Sequence, residues 1–283
     1  MRVIDLLQHG TRVLRQAGCP EAERDAELIA MLALGWSREQ LYRDLQEHAP
    51  EARLADFFSY LARRENREPI AYIRRKQEFR GLELEVTSHV LIPRPETEII
   101  VEQVIELAPP NARIVDVGTG SGNIAVAIAH ERKDLFVVAG DISQEALHVC
   151  ARNLRFHSLE RRIPLVCSSL LEPFCSRSLD IIASNPPYIA LSEKDSLADE
   201  VRQFEPPMAL YAGASGLDFI SALIRQSQDC LKPGGCLLME FGMGQGAAVL
   251  SLLNPKIWEN ASLLRDLQGL ERTLRVWRAA TSF

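Results

Sequence analysis

From about residue 93 onward, short runs of branched apolar residues alternate with stretches of helical periodicity, and this alternation leaves few possible architectures. Residues 113–117 read as a buried strand, 123–130 as the start of a helix, 135–140 as a second strand and 144–156 as a second helix. Two further strands fall at 163–167 and 179–183, a helix at 217–231, and strands at 236–241 and 273–277. Repeated strand–helix units predict an α/β domain, a mostly parallel sheet with helices on both faces, spanning residues 93–283.

Residues 1–75 have a different pattern. Val3, Ile4, Leu7 and Leu14 recur at helical spacing, and Leu28, Ile29, Leu32 and Leu34 do so after Pro20. Gly35 ends that second helix, and Ser37 with Gln40 forms a capping-box pattern for a third. After Pro50, Leu54, Phe57, Phe58 and Leu61 mark a fourth. A small helical bundle is expected, as scaffold or as a dock for a macromolecular substrate. Residues 76–92, with Phe79, Leu82, Leu84 and Val86 around Gly81, read as a hairpin connector.

The chain of 283 residues is long enough for two domains. Its net charge of −6 lacks the basic excess with which proteins grip nucleic-acid phosphates, so no direct nucleic-acid partner is expected. Cys19, Cys150, Cys167, Cys175, Cys230 and Cys236 show no C-x-x-C spacing and read as free structural thiols. The six histidines show no metal-ligand spacing, so no metal is expected. Asp5, Gln8 and His9 interrupt what an export signal would need, and residues 241–255 form an uncharged stretch too short to span a bilayer. The expectation is a cytoplasmic monomer without membrane contact.

Asp116-Val-Gly-Thr-Gly-Ser-Gly122 lies at a strand-to-helix turn. Glycine there lets the backbone approach a ligand, and the helix start offers free N–H groups. Asp141, at the end of the next strand, is placed to accept hydrogen bonds from ribose hydroxyls. A dinucleotide site wants G-x-G-x-x-G, but the third glycine of that spacing would fall on Asn123. The spacing present, G-x-G-x-G after Asp116, suits S-adenosylmethionine, with Asp116 organising the turn and facing the cationic amino-acid end. An ordinary tight turn is the bland alternative.

Asn185-Pro-Pro-Tyr188 follows the strand at 179–183 and should share a crevice with the glycine turn. An amide nitrogen is a poor nucleophile because its lone pair is delocalised. The Asn185 side-chain oxygen and the Pro186 carbonyl can accept its N–H groups and aim the nitrogen. Tyr188 offers a flat face for stacking. Asn185, Pro186 and Tyr188 are the candidate catalytic residues, with Pro187 completing the substrate-binding set. No general base is needed before attack, so no histidine is assigned. A proline-rich surface loop is the bland alternative.

Together the two motifs resemble those of class I methyltransferases that modify exocyclic or amide nitrogens, and the fuller resemblance is to the HemK/PrmC family of release-factor glutamine methyltransferases. It covers nearly the whole chain and includes Leu91-Ile-Pro-Arg-Pro-Glu-Thr-Glu98, Glu78-Phe79, Phe204-Glu-Pro, Ala209-Leu210, Lys232-Pro-Gly-Gly235 and Glu240-x-Gly-x-x-Gln245. The resemblance implies a Rossmann-like, mostly parallel seven-stranded sheet behind an N-terminal helical domain. It implies methyl transfer from S-adenosylmethionine, leaving S-adenosylhomocysteine, to the glutamine of a Gly-Gly-Gln motif in peptide-chain release factors, giving N5-methylglutamine. Gly118, Thr119, Gly120, Ser121, Gly122 and Asp141 would hold the cofactor, with Asp116, Leu170 and Asn185 also expected at its site. Two departures stand out. Ser169 and Leu170 occupy positions where members often carry an acidic residue and an aromatic near the adenine, and Arg75 stands where many have glycine.

Glu96 and Glu98 fit a helix-capping role and an active-site role equally well. The acidic run Glu193, Asp195, Asp199 and Glu200 reads as a solvated loop, or as a contact for a basic release-factor surface. Two other functions compete with glutamine methylation. The same tetrapeptide can hold the exocyclic amine of adenine in DNA or RNA, which salt-sensitive duplex binding would support. A non-catalytic module on the same fold would fail to bind S-adenosylmethionine.

Overall fold

The computed structural model describes residues 1–280. Chain contacts divide it into two units, Met1–Lys76 with Ala198–Phe204, and Gln77–Leu197 with the chain from Glu205 on.

The first unit holds α1 (Val3–Gln16), α2 (Ala22–Leu34), α3 (Arg38–Arg43), α4 (Glu51–Glu65) and α5 (Ile70–Arg74), with a short helix, Asp199–Phe204. Its core gathers Leu6, Leu14, Ile29, Leu41, Phe57 and Leu61. Fully burying a side chain such as Phe57 contributes about 1.5–3 kcal/mol. Gly10 lets α1 approach closely, because a Cβ there would lie 3.2 Å from the Ala26 Cβ and 3.3 Å from the Phe57 Cζ. The expected capping box forms: Ser37 Oγ accepts from the Gln40 N–H at 3.2 Å and Gln40 Oε1 from the Ser37 N–H at 3.1 Å. Arg75, in the left-handed region at φ 58°, ends α5. Arg64 is buried with its guanidinium on Asp25 at 2.7 Å and on Glu200 at 2.8 Å, so Glu200 is committed to an ion pair and not to solvent.

A hairpin of β1 (Lys76–Phe79), whose first residue closes the first unit, and β2 (Leu82–Glu85) opens the second, and its Phe79 and Leu84 enter the main core. A 3-10 turn, Pro95–Thr97, leads into α6 (Glu98–Leu107). The chain then runs β3 (Arg113–Val117), α7 (Asn123–Glu131), β4 (Phe136–Asp141), α8 (Gln144–Phe156), β5 (Leu165–Cys167) and β6 (Leu179–Ser184). After α9, the Asp199–Phe204 helix, come α10 (Pro207–Leu210), α11 (Asp218–Cys230), β7 (Leu231–Glu240), α12 (Gly246–Ser251), β8 (Trp258–Arg265) and β9 (Glu271–Arg278).

The seven-stranded sheet has the order β5-β4-β3-β6-β7-β9-β8, parallel except that β9 runs antiparallel to β7 and β8. Period-two alternation sorts its side chains between two cores. Ile114, Val137, Ile181 and Leu238 join one with Ile100, Val104 and Ile128 of the helices. Val115, Ile182, Leu237 and Val276 join the other with Ile220, Leu223 and Ile224. Helices therefore cover both faces, as the alternation predicts. The strand order reverses at β3 and β6, where an open α/β sheet forms its ligand crevice. Val117 pairs with Ser184 there, so the glycine turn and the Asn185 loop leave the sheet side by side.

Candidate functional site

The crevice beyond β3 and β6 is a cleft of about 370 Å³. Expected site residues Gly118, Thr119, Gly120, Ser121, Asp141, Leu170, Asn185, Pro186 and Pro187 line it. Asp116, Gly122 and Tyr188 are not among the lining residues.

The glycine turn is tied down from both sides. The Gly118 and Thr119 N–H groups both donate to the Gly140 carbonyl, at 2.8 and 2.9 Å. Asp141 Oδ2 accepts from the Gly120 N–H at 2.9 Å and Oδ1 from the Ser143 N–H at 2.9 Å. Each carboxylate oxygen keeps a second lone pair. Gly118 and Gly120 have φ values of 71° and 54°, and nothing lies within 4 Å of a Cβ built on either. Their bare backbone thus leaves room that a side chain would fill, a cradle suited to a ligand approaching the main chain.

Asp116 acts from beneath that turn. It is fully buried, and Oδ2 accepts from Thr119 Oγ1 at 2.6 Å and from the Ala125 N–H at 3.2 Å. Oδ1 is buried without a partner. Burial raises its pKa to about 7, against the opposing bonds from Thr119 and Ala125. Asp116 is thus bonded within the turn and its helix start, and it does not line the cleft. Gly122 serves packing: at φ 87°, a Cβ would lie 2.7 Å from Cys150 Sγ.

On the β6 side, Ser184 Oγ donates to the Val117 carbonyl at 2.7 Å. Asn185 Nδ2 donates to Thr97 Oγ1 at 2.9 Å, and Thr97 Oγ1 donates to Glu240 Oε2 at 2.6 Å. Asn185 Oδ1 is buried with no partner. Tyr188 is half-buried against the second core, and its hydroxyl donates to Glu240 Oε1 at 3.2 Å. Gln245 Nε2 donates to the Tyr188 carbonyl at 2.9 Å while its Oε1 accepts from the Gly242 N–H, bracing the loop. Burial raises the Glu240 pKa to about 7 against the bonds from Thr97 and Tyr188.

Sequence reasoning weighed Glu96 and Glu98 at this site, yet Thr97 between them is the residue that reaches Asn185. Glu98 Oε1 instead accepts from the Arg80 N–H at 3.2 Å, beside the hairpin turn. Thr97 lies in the 91–98 motif and Glu240 opens the 240–245 motif, and neither pattern points to a role for them. The available signal for Glu240 was an acid closing the apolar run 236–239 at the carboxyl end of a central strand. Val90, Arg94, Ile142, Met208 and Phe219 also line the cleft. Arg94 is held by a hydrogen-bonded ion pair to buried Glu205, which also accepts from the Ile92 N–H at 3.4 Å. Leu170 stands at φ 49°, a left-handed conformation unusual for leucine.

All six cysteines are free; Cys167 and Cys175 are exposed, the other four buried. Among the described residues, no group of three or more His, Cys, Asp or Glu side chains is placed to hold a metal ion. No described helix is long and apolar enough to cross a membrane.

Comparison with known proteins finds relatives over nearly the whole chain. Residues 5–74 match the PrmC N-terminal domain model and residues 95–203 the methyltransferase small domain model. The release factor glutamine methyltransferase of Nitratidesulfovibrio vulgaris is 42% identical, covering 94% of this chain and 92% of its own. That of Geobacter sulfurreducens is 38% identical, covering 92% and 91%. Among solved structures, the hMettl16 catalytic domain matches with a TM-score of 0.57 at 17% identity, over 78% of this chain and 81% of its own, a likeness of fold alone. Sequence similarity over nearly the whole length, with both motifs converging on one cleft, places the chain in the release factor glutamine methyltransferase family.

Proposed function

We propose that this protein transfers a methyl group from S-adenosylmethionine to the side-chain amide nitrogen of the glutamine in the Gly-Gly-Gln motif of peptide-chain release factors. The observation that carries this reading is Asn185 Oδ1, a buried acceptor without a partner on a residue that lines the cleft. An orphaned acceptor is costly, by about 1–3 kcal/mol, unless a donor arrives to meet it. A primary amide supplies such a donor.

The backbone from Gly118 to Ser121, with Asp141 and Leu170, would hold the cofactor, and the open cradle at Gly118 and Gly120 fits it. When bound, S-adenosylmethionine supplies an electrophilic methyl group and leaves as S-adenosylhomocysteine. Asn185 Oδ1 accepts one N–H of the glutamine amide and the Pro186 carbonyl the other, which aims the nitrogen and favours the charge that develops on it. The nitrogen releases a proton once it carries the methyl group, so no resident base is required. Tyr188 anchors the loop through Glu240. The protein is read as a cytoplasmic monomer whose partner is the release factor.

Adenine methylation uses the same acceptors, but the net charge of −6 and the family's named substrates weigh against it. The test is transfer of labelled methyl to purified release factor, with the Gly-Gly-Gln glutamine changed to alanine as control. Label on the wild-type factor only, reduced on the order of a hundredfold by Asn185→Ala, supports the reading. Label on DNA or RNA but not on the factor overturns it.

A further inference from the structure

Asn185 can act as described only if its amide is the right way round. Its oxygen and nitrogen are nearly the same size, so sterics barely distinguish the two rotamers; hydrogen bonding must. The partner that decides is Thr97, 88 residues away in the chain and fully buried. A hydroxyl has one proton. Thr97 gives that proton to Glu240 Oε2, 143 residues away, because a carboxylate can only accept. The Thr97 oxygen then has only lone pairs to offer, and Asn185 must turn its NH₂ toward them. Tyr188 donates to the other carboxylate oxygen, so neither oxygen needs a proton of its own.

We propose that Thr97 and Glu240 are positioning residues that lock the Asn185 amide with Oδ1 toward the substrate nitrogen. This rests on the reading above, in which a planar N–H group enters the cleft. The chain of donors has a polarity, and that polarity is set at Glu240. If Glu240 takes a proton at Oε2, the acid donates to Thr97, Thr97 donates to Asn185, and the amide turns over. The site then meets the substrate NH₂ with another NH₂, donor against donor.

The surroundings place this reversal near neutrality. Glu240 is buried, which disfavours its charge; Glu96 on the 3-10 turn adds repulsion, and the bonds from Thr97 and Tyr188 with the positive charge of Arg272 on β9 oppose it. Turnover should fall as pH drops through about 7, because the protonated state orients Asn185 wrongly.

The experiment measures kcat from pH 5.5 to 9 on a Gly-Gly-Gln substrate for wild type, Thr97→Val, Thr97→Ser and Glu240→Gln, with S-adenosylmethionine affinity by calorimetry. Thr97→Val is expected to lower kcat about 10–100-fold with cofactor Kd within about twofold of wild type, whereas Glu240→Gln, which keeps an acceptor for Thr97 but takes up no proton, should lose the acid limb. Thr97→Ser restores the hydroxyl, so it should recover to within about threefold and keep the acid limb, whereas Thr97→Val loses the limb. Wild-type kcat and acid limb in Thr97→Val would overturn the proposal. So would equal losses in the Ser and Val variants, which indicate a packing role. A second arm follows hydrogen exchange of the Asn185 side-chain NH₂ by ¹⁵N NMR. Exchange at least about tenfold faster in Thr97→Val supports the lock, and unchanged exchange overturns it. If wild type labels no Gly-Gly-Gln substrate, the substrate reading fails, and the NMR arm still decides the orientation on its own.

Discussion

The Tyr188 hydroxyl donates to Glu240 Oε1 across 3.2 Å, so the polar edge of this ring is held by the end of β7. Removing the hydroxyl takes a donor from a buried carboxylate and makes that carboxylate harder to ionise. Tyr188→Phe should therefore move the acid limb of kcat upward by about half to one pH unit. At pH 8.5 its kcat should remain within about fivefold of wild type. A loss above a hundredfold at pH 8.5 would instead assign the hydroxyl a direct part in the reaction.

Asp116 has a folded-state pKa of about 7, above the ordinary 3.8, chiefly through burial. The folded protein thus holds this proton more tightly than the unfolded chain. The stabilisation that results is fully present below pH 3.8 and is lost as pH rises through about 7. Asp116→Asn keeps an acceptor for Thr119 and Ala125 without the charge. Its stability advantage over wild type should widen by about 2 kcal/mol between pH 5.5 and pH 8. Urea denaturation at the two pH values checks this; a constant difference would show Asp116 already ionised at the lower one.

Gly120 and Gly122 should fail differently as alanine. Gly122→Ala drives a Cβ to within 2.7 Å of Cys150 Sγ at a φ of 87°. It should lose about 2–3 kcal/mol of stability, part of which Cys150→Ala restores in the double variant. Gly120→Ala meets no protein atom within 4 Å, and should lose only about 1 kcal/mol. Its Cβ enters the cradle, so cofactor affinity measured by calorimetry should drop by about tenfold or more. Equal cofactor affinity in Gly120→Ala and wild type would remove the glycine turn from the binding surface.

Arg75 occupies a left-handed position at φ 58° that glycine adopts without strain. Arg75→Gly should raise stability by about 0.5–1 kcal/mol, the relief of strain exceeding the added freedom of the unfolded chain. Denaturant midpoints with unchanged slopes give the comparison; a lower midpoint would show that the contacts of the Arg75 side chain outweigh its backbone strain.

The parts of this molecule that could be read in the sequence are those where local pattern and tertiary role coincide. Residues 113–117 and 179–183 are apolar runs ending in glycine or Asn-Pro, and they form the central strands that deliver both motifs to one cleft. β8 escaped because Glu259, Asn260 and Ser262 interrupt its apolar pattern; it pairs with β9 alone and shifts register twice, and an edge strand with bulges carries little periodicity. The short helices α10 and α12 lack a full amphipathic repeat. At the cleft, the lining residues Gly118, Gly120, Pro186 and Pro187 could be inferred from the glycine and proline motifs. The Thr97–Glu240 contact could not, because it joins positions 143 apart by the geometry of the completed sheet. The same reason hid the commitment of Glu200 to Arg64, which makes a run that looks solvated partly structural.

The helical unit includes Ala198–Phe204, a stretch the ribosome makes more than a hundred residues after Lys76. During synthesis, the first 76 residues emerge with Arg64 and Asp25 already available to each other, but Glu200 still to come. That unit is therefore not a cassette: a cut after Lys76 yields a fragment missing one carboxylate of a buried ion cluster. A homologue's helical segment grafted at this junction would meet a sixth helix, Asp199–Phe204, supplied by the recipient. Exchange of such segments between relatives should succeed only when the 198–204 stretch travels with them.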